Sequence, residues 1–222
     1  MGLDQRLLLD VYARRSGSYD RFVYAVTLGL HHRLRTSLVR KLALRPGTVV
    51  LDLACGTGLN FAALEQAVGP AGRIVGVDVS ADMLNRAYQK ILRAGWTNVR
   101  LIQADITTFR PVEPLDAVLC TFAIGLLPDP DLGARAFVDM TRPGGCVLVA
   151  DTHRVEHWYG PLVNPMLRLG GRPWIPPSVE DRYWSAHPQT TLAAMTENFH
   201  SEEWLGGTVY VAWGRRPQGP AA

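Results

Sequence analysis

Short β-branched runs alternate with helical patterns through the middle of this 222-residue chain, and this alternation constrains the fold more than any other feature. The runs predicted to be strands are residues 49–53, 73–77, 99–102, 117–120 and 146–150. Ser80 and Asp131 are the predicted N-caps of the helices that precede the third and fifth strands. Strands that alternate with helices are joined by right-handed crossovers, which gives a mostly parallel sheet covered on both faces. The sequence therefore predicts an α/β fold with an open, doubly wound, Rossmann-like sheet.

Two segments lie outside the alternation. Before it, leucines recur every four residues from Leu34 among basic side chains, which predicts an amphipathic helix that ends at Pro46. After it, residues 152–187 are rich in proline and aromatic side chains, which is typical of a cover over a pocket or of a packed insertion. A turn at Gly206 then predicts a terminal antiparallel β-hairpin. We predict one domain, 1–222, with an N-terminal helical cap (1–47), a cofactor-binding core (48–151), a substrate cover (152–187), and a final helix and hairpin (188–222).

The composition limits the class of protein. With 47% hydrophobic and 19% charged residues, the chain can bury one sizeable core, which excludes disordered and collagen-like proteins. No apolar stretch reaches the roughly 18 residues that span a bilayer. The first 21 residues carry charges throughout and lack the apolar region of a signal peptide. We therefore expect a cytoplasmic protein, whose cysteines, Cys55, Cys120 and Cys146, are reduced core thiols.

The charge is uneven along the chain. Residues 1–47 carry a net charge of +6, whereas the remainder carries −3. Such a basic segment could meet an anionic membrane surface or an acidic ligand, because Lys and Arg near an anionic leaflet gain roughly 1 kcal/mol each. A solvated helix face is an equally good interpretation.

A glycine-containing loop follows the first predicted strand. In an open α/β sheet the ligand lies beyond the carboxyl ends of the strands, where the strand order reverses. Gly56 and Gly58 would allow a sharp turn and a close approach of the backbone to a ligand. A dinucleotide-binding loop needs Gly or Ala three residues after the second glycine, but this position is Phe61, which weighs against NAD. The loop also lacks the Gly-Lys-Ser/Thr of a P-loop.

Three carboxylates stand at the ends of three successive strands. Asp52 would repel a pyrophosphate but suits a ligand with an ammonium group. Asp78 lies 20 residues after Gly58, where an acid binds a ribose diol. Asp105 could accept a hydrogen bond from the exocyclic amine of adenine. Because buried carboxylates are costly without donors, these acids predict a ligand with a cationic amino-acid end, a ribose and an adenine.

The order of these motifs resembles that of the class I S-adenosylmethionine-dependent methyltransferases. The resemblance covers about residues 44–150, and Ala54 stands where many members have glycine. The matching segments are 50–58, 76–80 with Met83, 104–106, 115–122 and the turn at 142–145.

This resemblance implies S-adenosyl-L-methionine as the cofactor and S-adenosyl-L-homocysteine as the product. Tyr19-Asp20 is similar to an element of the quinone C-methyltransferases and phospholipid N-methyltransferases, in which the N-terminal segment folds over the cofactor. Tyr19 as a half-buried staple for the helix is the alternative. The positions that the resemblance and the strand ends assign to cofactor binding are Tyr19, Asp52, Ala54, Gly56, Gly58, Asp78, Val79, Met83, Asp105, Ile106 and Thr121.

In-line displacement at a sulfonium methyl group needs an aligned acceptor and the exclusion of water, and it needs a base only where the acceptor must lose a proton. His153, just beyond the fifth strand, is the candidate catalytic base, although a core or surface histidine is more common. His31 and His32 could face an acceptor, and Asp151 could orient another group or cap a helix. No histidine and carboxylate pair has metal-ligand spacing, so no metal is expected.

The predicted function is methyl transfer from S-adenosylmethionine to a hydrophobic or amphipathic small molecule, such as a lipid, a quinone or a secondary metabolite. A cofactor-binding member that does not methylate, such as a cyclase, is one alternative, and an NAD(P)-dependent oxidoreductase is another. Nucleic acid is not expected, because the fourth strand lacks the motif of base-amino methyltransferases. The sequence indicates neither the acceptor atom nor an oligomeric state.

Overall fold

A computed structural model describes residues 3–112 and 115–219 of the chain. Seven strands form one sheet: β1 (Val49–Leu53), β2 (Arg73–Asp78), β3 (Val99–Gln103), β4 (Leu115–Thr121), β5 (Thr141–Thr152), β6 (Glu197–Trp204) and β7 (Val209–Arg215). The helices are α1 (Leu3–Val26), α2 (His31–Lys41), α3 (Phe61–Val68), α4 (Ala81–Ala94), α5 (Pro130–Asp139), α6 (Gly160–Gly171), α7 (Pro177–Ser185) and α8 (Pro188–Met195). The outer ends of the predicted 1–47 and 188–222 units lie outside the described residues.

The strands follow the order β3-β2-β1-β4-β5-β7-β6 across the sheet. The first five strands pair in parallel, and β7 runs antiparallel to both β5 and β6. The predicted doubly wound α/β sheet and its antiparallel C-terminal hairpin are therefore confirmed. The strand order reverses between β1 and β4, which is where such sheets bind ligands.

Apolar side chains cover both faces of the sheet. On one face Val50 packs with Phe61 of α3, and on the other Leu51 packs with Phe137 of α5. The central strands are buried on both faces, because helices lie on either side of a parallel sheet. The cysteines are buried and unpaired, and burial raises the pKa of each thiol.

The local caps agree with the prediction at one helix and correct it at another. Ser80 caps α4, and its hydroxyl accepts a hydrogen bond from the Met83 N–H. Asp131 does not cap α5; Asp129 does, by accepting from the Leu132 N–H at 2.9 Å. Pro130 occupies the first helical position, where its missing N–H costs nothing, so the residue before it becomes the cap.

The fifth strand is longer than predicted. It begins at Thr141, which pairs with Leu115, and the register then shifts before Ala117 pairs with Cys146. The predicted turn at 142–145 is therefore an irregularity inside β5 rather than a connection before it.

The proline-rich segment forms two helices, α6 and α7, each with a proline in its first turn. The Trp174 ring between them lies 5.1 to 5.5 Å from those of Tyr12, Tyr19 and Phe22 on α1. This segment therefore packs against α1. No helix among the described residues is long and apolar enough to cross a membrane.

Candidate functional site

A cavity opens to solvent at the carboxyl ends of β1, β2 and β4, at the reversal of strand order, and encloses about 880 Å³ when the open solvent at its mouth is included. Most of the residues predicted to bind the cofactor line it: Tyr19, Ala54, Gly56, Asp78, Val79, Met83, Asp105, Ile106 and Thr121. Apolar side chains complete the wall: Leu8, Leu9 and Tyr12 of α1, and Phe122, Leu126 and Leu127 after β4. None of the described residues of the predicted cover, 152–187, lines this cavity.

The glycine loop takes a left-handed backbone at alternate positions. Ala54, Gly56 and Gly58 have φ values of 51°, 55° and 75°. A Cβ on Gly58 would lie 2.5 Å from the Phe61 ring, and a Cβ on Gly76 would lie 2.7 Å from it. Gly58 does not line the cavity, and it makes room for the buried Phe61 instead. Phe61, which argues against a dinucleotide-binding loop, is thus a core residue whose ring packs against Gly58 and Gly76.

Asp78 ends β2 at the cavity wall. Its Oδ2 accepts from the Gly56 N–H at 2.8 Å, and its Oδ1 accepts from the Ser80 N–H at 2.9 Å. A carboxylate has about four acceptor positions, so these hydrogen bonds leave acceptor capacity for a diol. Burial raises the pKa of Asp78, and its backbone hydrogen bonds oppose that rise.

Asp105 follows β3 and is already engaged on both oxygens. Oδ1 accepts from the backbone and hydroxyl of Thr107, and Oδ2 accepts from the side-chain amide of Gln5 at 3.2 Å. An amide from α1 therefore stands where the sequence predicted an adenine amine. An amine at this place would share Oδ2 with Gln5 or replace it.

Arg35 is a site residue that no sequence motif predicted. It is one of the basic side chains among the leucines of the predicted amphipathic helix. Arg35 is buried, and its Nη1 donates to the Asn60 Oδ1 at 2.6 Å and to the Thr121 hydroxyl at 3.1 Å. Its guanidinium also lies over the Phe122 ring. The sequence does contain a pattern that indicates the burial of Arg35. Arg35 precedes Leu38 by three residues and therefore lies on the same, apolar face of the helix.

Asp52 lies behind the cavity wall and not on it. Its side chain is completely buried, and its Oδ1 accepts from the Asn60 Nδ2 at 2.9 Å. Among the described residues, its Oδ2 has no hydrogen-bond partner. Burial raises the pKa of Asp52 to about 7, while the Asn60 hydrogen bond and the Arg35 charge oppose the rise. Asn60 connects Asp52 to the cavity wall, because its side-chain amide also donates to the hydroxyl of Thr121, which lines the cavity.

α1 is tied to the glycine loop near its C-terminal end. The Thr57 hydroxyl donates to Asp20 at 2.6 Å, and Lys90 of α4 forms an ion pair with Asp20 at 2.6 Å. Tyr19 beside it lines the cavity, and burial raises its pKa. α1 is therefore held over the cavity near both of its ends, by Gln5 through Asp105 and by Asp20 through Thr57 and Lys90.

The structure does not bring His153 to the cavity. The His153 ring packs edge-on against Tyr210, and its backbone N–H donates to the Thr208 carbonyl. Burial lowers its pKa. His31 is also buried, with its ring 4.0 Å from that of His32. Neither histidine of this pair lines the cavity.

Asp151, near the end of β5, joins three parts of the chain. Its Oδ2 accepts from the Gly125 N–H at 3.0 Å in a short 3-10 turn, and its Oδ1 accepts from the Tyr183 hydroxyl at 2.7 Å and from the Thr152 N–H. Burial raises its pKa to about 6. It therefore anchors both α7 and the turn that supplies Leu126 to the cavity.

Within residues 3–112 and 115–219, no group of three His, Cys, Asp or Glu side chains is placed to hold a metal.

The fold and this site have the features of class I S-adenosylmethionine-dependent methyltransferases. Residues 50–145 match a family described as "Methyltransferase domain". A solved structure of phosphoethanolamine N-methyltransferase 2 from Haemonchus contortus, in complex with S-adenosylhomocysteine, shares the fold with a TM-score of 0.66 at 13% identity; the match covers 84% of this chain and 53% of that one. The core of this chain, residues 50–145, is therefore similar to a methyltransferase domain.

Curated relatives add a narrower similarity. Demethylmenaquinone methyltransferase from Geobacillus stearothermophilus is 31% identical over 143 residues, which cover 64% of this chain and 61% of that protein. The ubiquinone/menaquinone biosynthesis C-methyltransferase UbiE of Pasteurella multocida is 27% identical over 167 residues, 74% of this chain and 60% of that protein. The matched regions span less than two thirds of either relative.

Proposed function

We propose that this chain transfers the methyl group of S-adenosylmethionine to a hydrophobic or amphipathic small molecule. The observation that carries the proposal is Asp78, whose remaining acceptor positions stand beside the glycine loop in a cavity with apolar walls. A ribose diol would be met by the carboxylate, and the adenine by side chains such as Met83 and Ile106. The similarity to curated quinone methyltransferases supports the same reaction class.

The amino-acid end of the cofactor would be bound by residues around Asn60. Arg35 has five N–H donors, and those on Nε and Nη2 make no hydrogen bond to another described residue. We assign these donors to the carboxylate of the ligand. An ammonium group would have to reach the unpartnered Oδ2 of Asp52 behind the cavity wall, beside Asn60, where its charge would offset the burial of this carboxyl.

When bound, S-adenosylmethionine supplies a methyl carbon that forms a bond to the acceptor as its bond to sulfur breaks. The contribution of the chain is alignment of the acceptor and exclusion of water. α1 and the side chains packed on it provide the exclusion, because Tyr12 and Tyr19 line the cavity beneath Trp174. His153, the base predicted from the sequence, does not line this cavity.

We propose a quinone precursor as the first acceptor to test. Leucines on two sides of the cavity, Leu8 and Leu9 from α1 and Leu126 and Leu127 after β4, give an apolar wall suited to such a ring. A phospholipid or a secondary metabolite would use the same wall.

Because quinones and phospholipids reside in membranes, we further propose that the basic segment 1–47 meets an anionic membrane surface. A cytoplasmic location stays a prediction.

Calorimetric titration with S-adenosylhomocysteine, NAD and NADP tests the proposal. We expect micromolar binding of S-adenosylhomocysteine alone. Binding of NAD or NADP instead would support an oxidoreductase, and no binding of any of the three would overturn the assignment of the cavity.

Transfer of a labelled methyl group to quinone, lipid and polyketide acceptors is the second step. Tight cofactor binding without transfer to any of them would favour a member that does not methylate.

A further inference from the structure

The C-terminal end of α1 and the turn that joins it to α2 present apolar side chains to solvent. Leu28 is 86% exposed, Tyr24 61% and Val26 59%. Leu30, at the end of the same turn, is also exposed. The two aliphatic residues at its tip, Val26 and Leu28, belong to none of the packed clusters of the described core. This turn, residues 24–30, is therefore an apolar projection on an otherwise basic segment.

The backbone at the tip of the turn is unfavourable for the residue it carries. Leu28 has a φ of 49°, in the left-handed region where a bulky side chain is uncommon and glycine is free of strain. The leucine gains little packing in exchange, since most of its surface is in solvent. The stability of the folded chain does not explain a leucine at this position, whereas a partner that buries the side chain does.

The charge around the turn is positive. No Asp or Glu occurs between Arg21 and Leu51, and Arg21, Arg33 and Arg40 are exposed. The nearest acid along the chain, Asp20, is paired with Lys90. An apolar projection flanked in the sequence by exposed arginines is complementary to a bilayer whose surface carries anionic headgroups.

We propose that residues 24–30 insert shallowly into an anionic phospholipid bilayer and dock the protein there. The inference rests on the proposed function, because it supplies a membrane source for an amphipathic acceptor. Val26 follows Tyr19 by seven positions, about 10 Å along the helix axis, and Tyr19 lines the cavity. Docking by this turn places the cavity wall close to the lipid surface.

Co-sedimentation of the full chain with vesicles tests the docking directly. We expect binding to vesicles of phosphatidylcholine with about 30% phosphatidylglycerol, and little binding to phosphatidylcholine alone, because the surface charge differs. Leu28→Gly removes the side chain and relieves the left-handed backbone, so it keeps the fold and weakens vesicle binding about tenfold. Val26→Asp weakens it at least as much. Leu132→Asp, at a 62% exposed leucine on α5, is the matched control and leaves vesicle binding unchanged.

Three results would overturn the docking. The first is wild-type protein that stays in solution with anionic vesicles, and the second is a Leu28→Gly variant that binds them as well as wild type does. The third is a turn variant that changes the sedimentation coefficient of the protein without lipid, which would make the turn a contact between copies of this chain. S-adenosylhomocysteine binding, measured on the same variants, separates these results from a failure of the proposed function, since no residue of the turn lines the cavity.

Discussion

Arg35 donates from Nη1 to the side-chain oxygen of Asn60 at 2.6 Å. This hydrogen bond connects a charged residue of the N-terminal segment to the candidate site. Asn60 in turn donates to Asp52, so the cation and the buried carboxyl share one amide. The three side chains form a polar layer directly behind Thr121 of the cavity wall.

Replacing Arg35 with methionine tests whether this layer binds the amino-acid end of the cofactor. We expect Arg35→Met to weaken S-adenosylhomocysteine binding by roughly 1.5 to 3 kcal/mol, the range for hydrogen bonds to charged groups. Binding of 5′-methylthioadenosine, which lacks that end, should change far less. Calorimetry with both ligands gives the comparison, and Arg40→Met, at an exposed arginine of the same helix, is the control. Equal losses for the two ligands would mean that Arg35 only supports the fold.

The ribose assignment depends on Asp78. Asp78→Ala should cost roughly 1.5 to 3 kcal/mol of S-adenosylhomocysteine binding, because the diol would lose a charged acceptor. Asp82→Ala, at an exposed acid in the first turn of α4, should bind as wild type does in the same titration. If Asp78→Ala bound S-adenosylhomocysteine as tightly as wild type does, the assignment of the ribose diol to Asp78 would be wrong.

Asp20 tests whether α1 is held down by its contacts with Thr57 and Lys90. The ion pair is partly exposed, so Asp20→Ala should lower global stability by only about 1 kcal/mol or less. Its effect should appear locally, as faster amide hydrogen exchange in α1 with little change in the sheet. Asp10→Ala breaks an exposed pair within α1 itself and provides the comparison. If both variants exchange alike, the contact with the glycine loop does not hold the helix.

Much of the fold was readable from the sequence because the signals are local. β-branched runs and helical spacing predicted β1 to β5 and α4, and Ser80 is the cap that its hydroxyl predicts. Asp129 was missed because two aspartates flank Pro130, and the choice between them depends on where that proline sits in the helix. The extent of β5 depends on its pairing with Leu115, which no local pattern records.

The site was predicted where it is formed by strand ends and less well where it depends on long-range packing. Asp78 and Gly56 follow strands that the topology brings together, so they meet at the cavity as expected. The burial of Arg35 and the position of α1 at the cavity wall depend on how the N-terminal helices dock on the sheet. Those contacts join residues far apart in sequence, such as Gln5 and Asp105.

His153 carries the prediction of a catalytic base, while its place beside Tyr210 favours a packing role. We expect His153→Ala to lower stability and to leave turnover per folded molecule largely unchanged. Steady-state kinetics at saturating cofactor, with thermal unfolding measured in parallel, distinguishes the two roles. A fall in turnover of about 100-fold at unchanged cofactor affinity would restore the base. His200→Ala, at a histidine stacked on Trp213 in the hairpin, is the control.

The buried carboxyl of Asp52 gives the protein a pH-dependent stability of a specific sign. Its pKa is raised from 3.8 to about 7 in the folded chain, because burial disfavours the charged form. Between these values the folded state holds a proton that the unfolded state has lost, so this group stabilises the fold below about pH 4 and the benefit is lost as the pH rises towards 7. The limiting slope for one such proton is about 1.4 kcal/mol per pH unit. Asp52→Asn keeps the oxygen that accepts from Asn60 and cannot ionise, so its stability relative to wild type should increase from pH 4 to pH 7. Urea unfolding of both proteins across this range measures the difference. A difference that stays constant with pH would show that Asp52 ionises in the folded chain near its ordinary pKa, and that the cavity wall offers it more solvation than its burial implies.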